Sequence, residues 1–354
     1  MAPSTRSIKA GPTSTGKPVR SSPRARQPSR RSAPGGSRRG AELPLALWPC
    51  AQTTSQWQRH GRYTPESNRH PAKMLPEIAR RAIDFYSKPG DLILDPLCGI
   101  ATSLVEAIHL ERRAIGVELE PRWAALAARN VAHARSQGAR GQALVLQDDA
   151  RSLGCGVLDE LAGQVSLILT SPPYANATLG DPRGGEGIAR ARACEERRVT
   201  RADRAHAASA ARSCRYGEHP ASLARMTYGS LDQTLAHPTA TPCRESYLSA
   251  MAAVYTACAR MLAPGGFLVL VLRDMRVAGA LRNLTGDSVR LCQQAGLAYH
   301  QHVIALLASI DKGELRPRSS YWQRLHVQQA IDRGEPSQLP CFEDVLVLKR
   351  SNKR

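Results

Sequence analysis

The sequence predicts an α/β fold on a seven-stranded, mostly parallel sheet with an antiparallel last strand. Three observations predict it. Short apolar runs alternate with segments of helical periodicity from residue 92 to residue 171, which is the pattern of repeated strand–helix–strand units. A glycine-containing turn, DPLCGIATS at 95–103, follows the first of those runs and opens a helix. The last two strands, near 299–307 and at 343–349, are consecutive and hairpin-compatible.

In chain order, Leu43, Leu45 and Leu47 alternate, but Pro44 and Pro49 interrupt a clean strand pattern. Met74, Leu75, Ile78, Ala79, Ala82, Ile83 and Tyr86 follow helical spacing, and KPGD at 88–91 closes that helix. LILDP (92–96) is a strand and TSLVEAIHLE (102–111) a helix. AIGVELE (114–120) is the next strand, before a helix at 121–134 that opens on a proline. Strands follow at 143–149 and 165–171, then a helix at 247–262 and the strand FLVLVLR after APGG. A helix near 286–294 precedes the last two strands.

The chain has 354 residues, 42% hydrophobic content and a net charge of +19. Such an excess of cations points to a polyanion, most often nucleic acid. Its distribution is uneven: residues 1–40 hold ten Lys or Arg and no acid, and residues 181–215 hold nine Arg against five acids. Four segments result: a disordered basic tail (1–42), a first folded part (43–176), an Arg-rich insert (177–240) and a second folded part (241–354). The insert is read either as target recognition, with Arg183, Arg190, Arg197 and Arg215 reaching phosphates or guanine edges, or as a disordered solvated segment. Nine irregularly spaced cysteines and ten histidines show neither a disulfide framework nor metal-ligand spacing. No metal is expected, and a cytoplasmic location fits the cysteine usage. Apolar runs such as FLVLVL are too short to span a membrane.

Three strand ends describe a nucleoside pocket. Asp95, Pro96, Cys98 and Gly99 form the turn that lets backbone approach a ligand at the carboxyl end of the sheet. Glu118 ends the next strand, where an acid accepts from both hydroxyls of a ribose; the plain alternative is a surface acid. Asp149 and the N–H of Ala150 end the third, placed to meet a purine amine and ring nitrogen, although Asp is equally suited to cap a helix. Neither G-x-G-x-x-G nor G-x-x-x-x-G-K-[ST] is present, which favours a nucleoside without phosphates, S-adenosylmethionine, over NAD or ATP.

The fourth strand ends in TSPPY, residues 170–174. Prolines 172 and 173 stiffen the tip and remove two donors. Ser171 adds a hydroxyl and Tyr174 a flat face, a set suited to a planar base with an exocyclic amine. A proline-stiffened loop with a surface tyrosine is the other reading.

TSPPY resembles the catalytic motif of the amino-methylating DNA methyltransferases, in which Ser-Pro-Pro-Tyr is typical of the cytosine-N4 group. DPLCGIATS resembles their cofactor loop. HPAKMLPEIA (70–79), with His70, resembles the segment that packs on the methionine end of the cofactor. The resemblance covers roughly 60–176 and 245–350. It implies a Rossmann-like class I methyltransferase fold, S-adenosylmethionine as cofactor, and direct in-line transfer to a flipped-out base, with Ser171, Pro172, Pro173 and Tyr174 as the catalytic tip. DNA is the implied partner, with a restriction endonuclease as a candidate second one. Adenine-N6 enzymes more often carry Asp or Asn at the place of Ser171. The motif order, with HPAKM before the cofactor loop and TSPPY last, also resembles RNA guanine-N2 methyltransferases, which usually have a separate RNA-binding domain upstream that residues 1–60 are too short to form. A nucleic-acid-binding protein without turnover is the reading from a different class. Ala101 stands where the family usually has a second glycine: if the position needs a positive φ, the alanine strains the turn, and if not, its methyl is merely tolerated.

Overall fold

Parallel pairing needs crossovers, and the helices that make them cover both faces of the sheet. The computed structural model describes residues 43–70, 73–153, 158–173, 244–277, 280–319 and 321–352. The tail 1–42, the insert 177–240 and Tyr174 lie outside the described residues. All that follows concerns the unit Leu45–Arg354.

Eight strands make the main sheet: β1 (Leu47–Pro49), β2 (Leu92–Asp95), β3 (Arg113–Glu118), β4 (Gln142–Gln147), β5 (Val165–Thr170), β6 (Leu262–Leu272), β9 (Leu297–Leu306) and β12 (Phe342–Arg350). Their order is β1-β9-β12-β6-β5-β2-β3-β4. Every pairing is parallel except those of β12, which runs against both β6 and β9. This is the expected mostly parallel α/β sheet with its antiparallel last strand, enlarged by one edge strand.

Side-chain alternation along the central strands divides the core in two. Ile93, Leu167, Leu169, Val269, Val271, Val345 and Val347 face one way, against Ile78 and Ile83 of α2 (Pro76–Tyr86) and Leu104 and Ile108 of α3 (Thr102–His109). Leu94, Ile168, Leu268, Leu270, Leu346 and Leu348 face the other way. They meet Met251, Tyr255 and Cys258 of α5 (Arg244–Met261) and Leu291 of α6 (Leu284–Gln294). Helix α4 (Pro121–Ser136) packs on β3 and β4, and α1 (Ser55–Arg59) precedes α2. No helix among the described residues is long and apolar enough to cross a membrane.

The sequence reading needs four corrections. β1 is an eighth strand: three residues on the sheet edge pair on one side only, so the missing donor of Pro49 is tolerated there. Two further hairpins, β7–β8 (Met275–Val277, Ala280–Arg282) and β10–β11 (Ala308–Asp311, Glu314–Pro317), leave the carboxyl ends of β6 and β9. Helix α7 (Tyr321–Asp332) lies between β11 and β12, so β9 and β12 pair directly without being consecutive in the chain. Met74 and Leu75 precede α2, which starts at Pro76, where proline suits the first helical position.

Gly116, in the middle of β3, positions the functional edge. A Cβ there would fall 2.8 Å from both Cys98 Sγ and Leu104 Cδ2. Gly116→Ala is expected to lower stability by about 1–3 kcal/mol through overpacking, read as an earlier urea midpoint.

Candidate active site

β2, β3, β4 and β5 end at one edge of the sheet, and a cavity opens there. Its lining includes His70, Asp95, Pro96, Cys98, Gly99, Glu118, Asp149, Ala150, Ser171, Pro172 and Pro173. The site residues expected from sequence therefore converge, apart from Tyr174, which lies outside the described residues.

The turn after β2 is built on Asp95, buried at 3% exposure. One carboxylate oxygen accepts from the Leu97 N–H at 3.1 Å and the other from the Ser103 hydroxyl at the start of α3. Burial pushes its carboxyl up to about 6, against the pull of these bonds. Cys98 donates its N–H to the Val117 carbonyl at 2.9 Å, tying the turn to β3. Burial pushes its thiol well up, so it stays protonated and serves as a packing residue. Gly99 has φ +54, and a Cβ there would lie 3.3 Å from the His70 ring. Ala101 adopts φ 66, ψ 39 and is fully buried, so the strain foreseen at this position is present.

Glu118 ends β3 with each carboxylate oxygen accepting one N–H, from Gly99 and from Glu120, both at 2.9 Å. Burial pushes its carboxyl up to about 7. Its unused lone pairs remain for a ligand's hydroxyls. Asp149 caps the short turn Ala150–Ser152, accepting from the Arg151 N–H at 2.9 Å and from the Arg151 guanidinium. Burial opposes its ionisation, but these bonds outweigh it and hold the carboxyl below the usual range. The capping role of Asp149 is thus realised in the structure. The buried Ala150 N–H on the cavity wall takes no partner among the described residues.

Four residues outside the sequence reading complete the site. Asn130 of α4, fully buried, accepts from the Thr64 N–H at 3.0 Å and donates to the Ile100 carbonyl at 2.9 Å. It thereby joins the segment before His70 to the turn after β2. Trp123 meets the His70 ring edge-on, with centroids 4.6 Å apart. Lys73 donates to the His70 carbonyl, and burial beside Arg59 lowers its ammonium to about 8. Tyr247 of α5 donates its hydroxyl to the Pro173 carbonyl at 2.9 Å, pinning the tip after β5 from 74 residues away in the chain. A polar residue at an inward position of an otherwise apolar helix face was the available signal for Asn130. No local pattern marks Tyr247.

The donor set says what fits. Asp95, Glu118, Glu120, Asp148 and Asp149 all line the cavity, against one lysine. Five carboxylates repel a pyrophosphate and suit a cationic ligand rich in hydroxyls. Glu118 and the tip residues Ser171, Pro172 and Pro173 line the same cavity. S-adenosylmethionine matches this set; its residues would be Glu118 at the ribose and Asp149 with Ala150 at the purine.

Ala101→Gly relieves a left-handed φ at the loss of one buried methyl. The expected outcome is a melting temperature unchanged or raised, whereas Ala101→Val, β-branched at the same φ, costs about 2 kcal/mol or more; thermal scans of the two variants check the pair.

A family model described as DNA methylase (N6_N4_Mtase) matches residues 11–129, ending before Ser171. Over 106 residues the chain is 34% identical to the tRNA (guanine(10)-N2)-dimethyltransferase of Methanothermobacter thermautotrophicus, covering 30% of this chain and 29% of that one. Over 56 residues it is 41% identical to the type II methyltransferase M.MjaI of Methanocaldococcus jannaschii, covering 16% of this chain and 18% of that one. The chain therefore spans less than a third of the length of the curated relatives it matches. Among solved structures, TrmN from Thermus thermophilus is similar at 14% identity and a TM-score of 0.42, over 83% of this chain and 53% of that one. The fold is a mostly parallel α/β sheet, and the family match and the relatives support an amino-methyltransferase family.

Proposed function

We propose that this chain methylates the exocyclic amino group of a nucleic-acid base with S-adenosylmethionine, and that the base is cytosine, at N4, in DNA. One observation carries the reading: Ser171 and the two prolines line the same cavity as the half-buried carboxylate Glu118. When bound, S-adenosylmethionine supplies an electrophilic sulfonium methyl. The protein's part is to hold the acceptor. The Ser171 hydroxyl and the carbonyl of Pro172 accept from the amino hydrogens, drawing the nitrogen lone pair out of conjugation with the ring. Tyr247 keeps the tip in place through the Pro173 carbonyl. Much of the acceleration comes from this positioning. Serine in place of Asp or Asn at the tip supports cytosine. A DNA target makes a restriction endonuclease a candidate partner.

A second reading is guanine-N2 methylation of RNA, favoured by the motif order and by the relatives that act on tRNA guanine. Methylation-aware sequencing of DNA from cells expressing the protein separates the two. N4-methylcytosine in a fixed sequence context is expected; unmodified DNA together with methylated RNA establishes the alternative. If calorimetry finds no S-adenosylmethionine binding, a non-catalytic nucleic-acid-binding protein is the answer.

Ser171→Ala is expected to lower turnover about tenfold, the equivalent of one lost hydrogen bond. Tyr247→Phe frees the tip and is expected to lower it by up to about 100-fold, as a misplacement of about 1 Å does. Cofactor affinity should hold in both variants, and single-turnover kinetics beside calorimetry reads the difference.

Glu118 also sets a pH dependence. Its folded-state value, about 7, lies above its ordinary 4.5. The proton it keeps stabilises the cofactor-free fold fully below about 4.5, and that contribution disappears as pH rises through about 7. Ribose hydroxyls need the ionised acceptor, so affinity moves the other way. S-adenosylmethionine should bind about tenfold more weakly at pH 6 than at pH 8, and Glu118→Gln should flatten the profile measured by calorimetry.

A further inference from the structure

The carboxyl edge continues past the catalytic tip. β6 and β9 run parallel to β5, as both oppose β12, so the hairpins β7–β8 and β10–β11 rise from the same edge as Ser171. The sheet order β9-β12-β6-β5 roots one hairpin on the strand beside the tip and the other three strands from it, roughly 14 Å at the usual strand spacing. That distance matches about four nucleotides along one strand of a B-form duplex.

Both hairpins are basic. Residues 273–282 carry Arg273, Arg276 and Arg282 against Asp274. Residues 308–318 carry Lys312, Arg316 and Arg318 against Asp311 and Glu314. Asp274 is engaged by the Thr285 N–H at 2.9 Å, and Asp311 by Arg316 at 3.0 Å. The side chains of Arg282 and Lys312 are exposed and form no hydrogen bond or ion pair with another described residue. Lys312 occupies the hairpin turn itself at φ 52, beside Gly313 at φ 83. Such a turn favours Asn or Asp, so the cation is held there at a conformational cost. The cross-strand pair Ile310 and Leu315 stands 51% and 58% exposed on the same hairpin, an apolar surface of the kind that lies against sugars and bases.

We infer that these two hairpins grip the sugar-phosphate backbone of the nucleic-acid substrate beside the target base, with Arg282 on one and Lys312 on the other as phosphate contacts. The inference rests on the nucleic-acid reading above. Such contacts position the duplex without reading its sequence. They leave base selection to the tip and to elements elsewhere.

The test is the salt dependence of binding, measured by fluorescence anisotropy with the full-length protein on a labelled 30-mer DNA duplex and, separately, on a tRNA transcript. For the double variant Arg282→Gln, Lys312→Gln, the slope of log affinity against log salt should shrink by about 1.8 units on DNA, or about 0.9 for each phosphate that the variant leaves unneutralised. Affinity at low salt should fall about tenfold or more, with S-adenosylmethionine affinity and melting temperature unchanged. A shift seen on tRNA alone keeps the phosphate grip and assigns it to RNA. Wild-type binding with an unaltered slope and affinity in the variant overturns the hairpin assignment and leaves the proposed activity standing. A wild type that binds neither nucleic acid overturns both.

Discussion

Two carboxylates, buried Asp95 and half-buried Glu118, hold the turn between β2 and α3, and the cavity exists because they do. Asp95 binds the turn to the start of α3, and Glu118 binds it to the end of β3. Burial, joined at Glu118 by the like charges of Glu120 and Asp95, opposes their ionisation, raising one to about 6 and the other to about 7. Backbone N–H groups recover part of that cost, because a carboxylate is a stronger acceptor than a neutral oxygen. The result is a turn with few internal bonds that is nevertheless fixed. Gly116 completes it by leaving room for Cys98 directly beneath.

A second set of bonds reaches the turn from outside. Asn130 comes from α4, and the residues it joins lie 66 and 30 positions away. His70 closes the other side, under Gly99 and against Trp123. On the substrate side, Tyr247 restrains the tip after β5. Two prolines make that tip rigid internally, but rigidity does not decide where a segment points; a hydroxyl from α5 does. The turn after β2 and the tip after β5 are therefore held by different helices on opposite faces of the sheet.

Much of this was legible in the chain. β2, β3, β5 and β6 stand out because buried parallel strands are nearly continuous in apolar residues, and helices α3 and α4 begin where the turn and Pro121 say they should. Glu118, Asp149 and Ser171 are each predicted from their place at a strand end, and the structure brings all three to one cavity. What was not legible has specific causes. β1 is three residues long and ends in a proline. The turn at Lys312 and Gly313 places a lysine at positive φ, where sequence patterns look for Asn or Asp. At Asp149 the sequence permits a cap and a ligand contact alike, and the neighbouring Arg151 makes the cap.

The division follows from the range of the forces involved. Apolar periodicity, glycine and proline act over a few residues, so the sequence by itself determined the α/β class, the strand-end turns and the residue types at the active edge. Burial and partner choice depend on what packs from distant parts of the chain. Only the tertiary structure decided that Glu118 stands near neutrality, that Ala101 bears a left-handed φ, that Asn130 and Tyr247 hold the two halves of the site, and that two basic hairpins rise beside it.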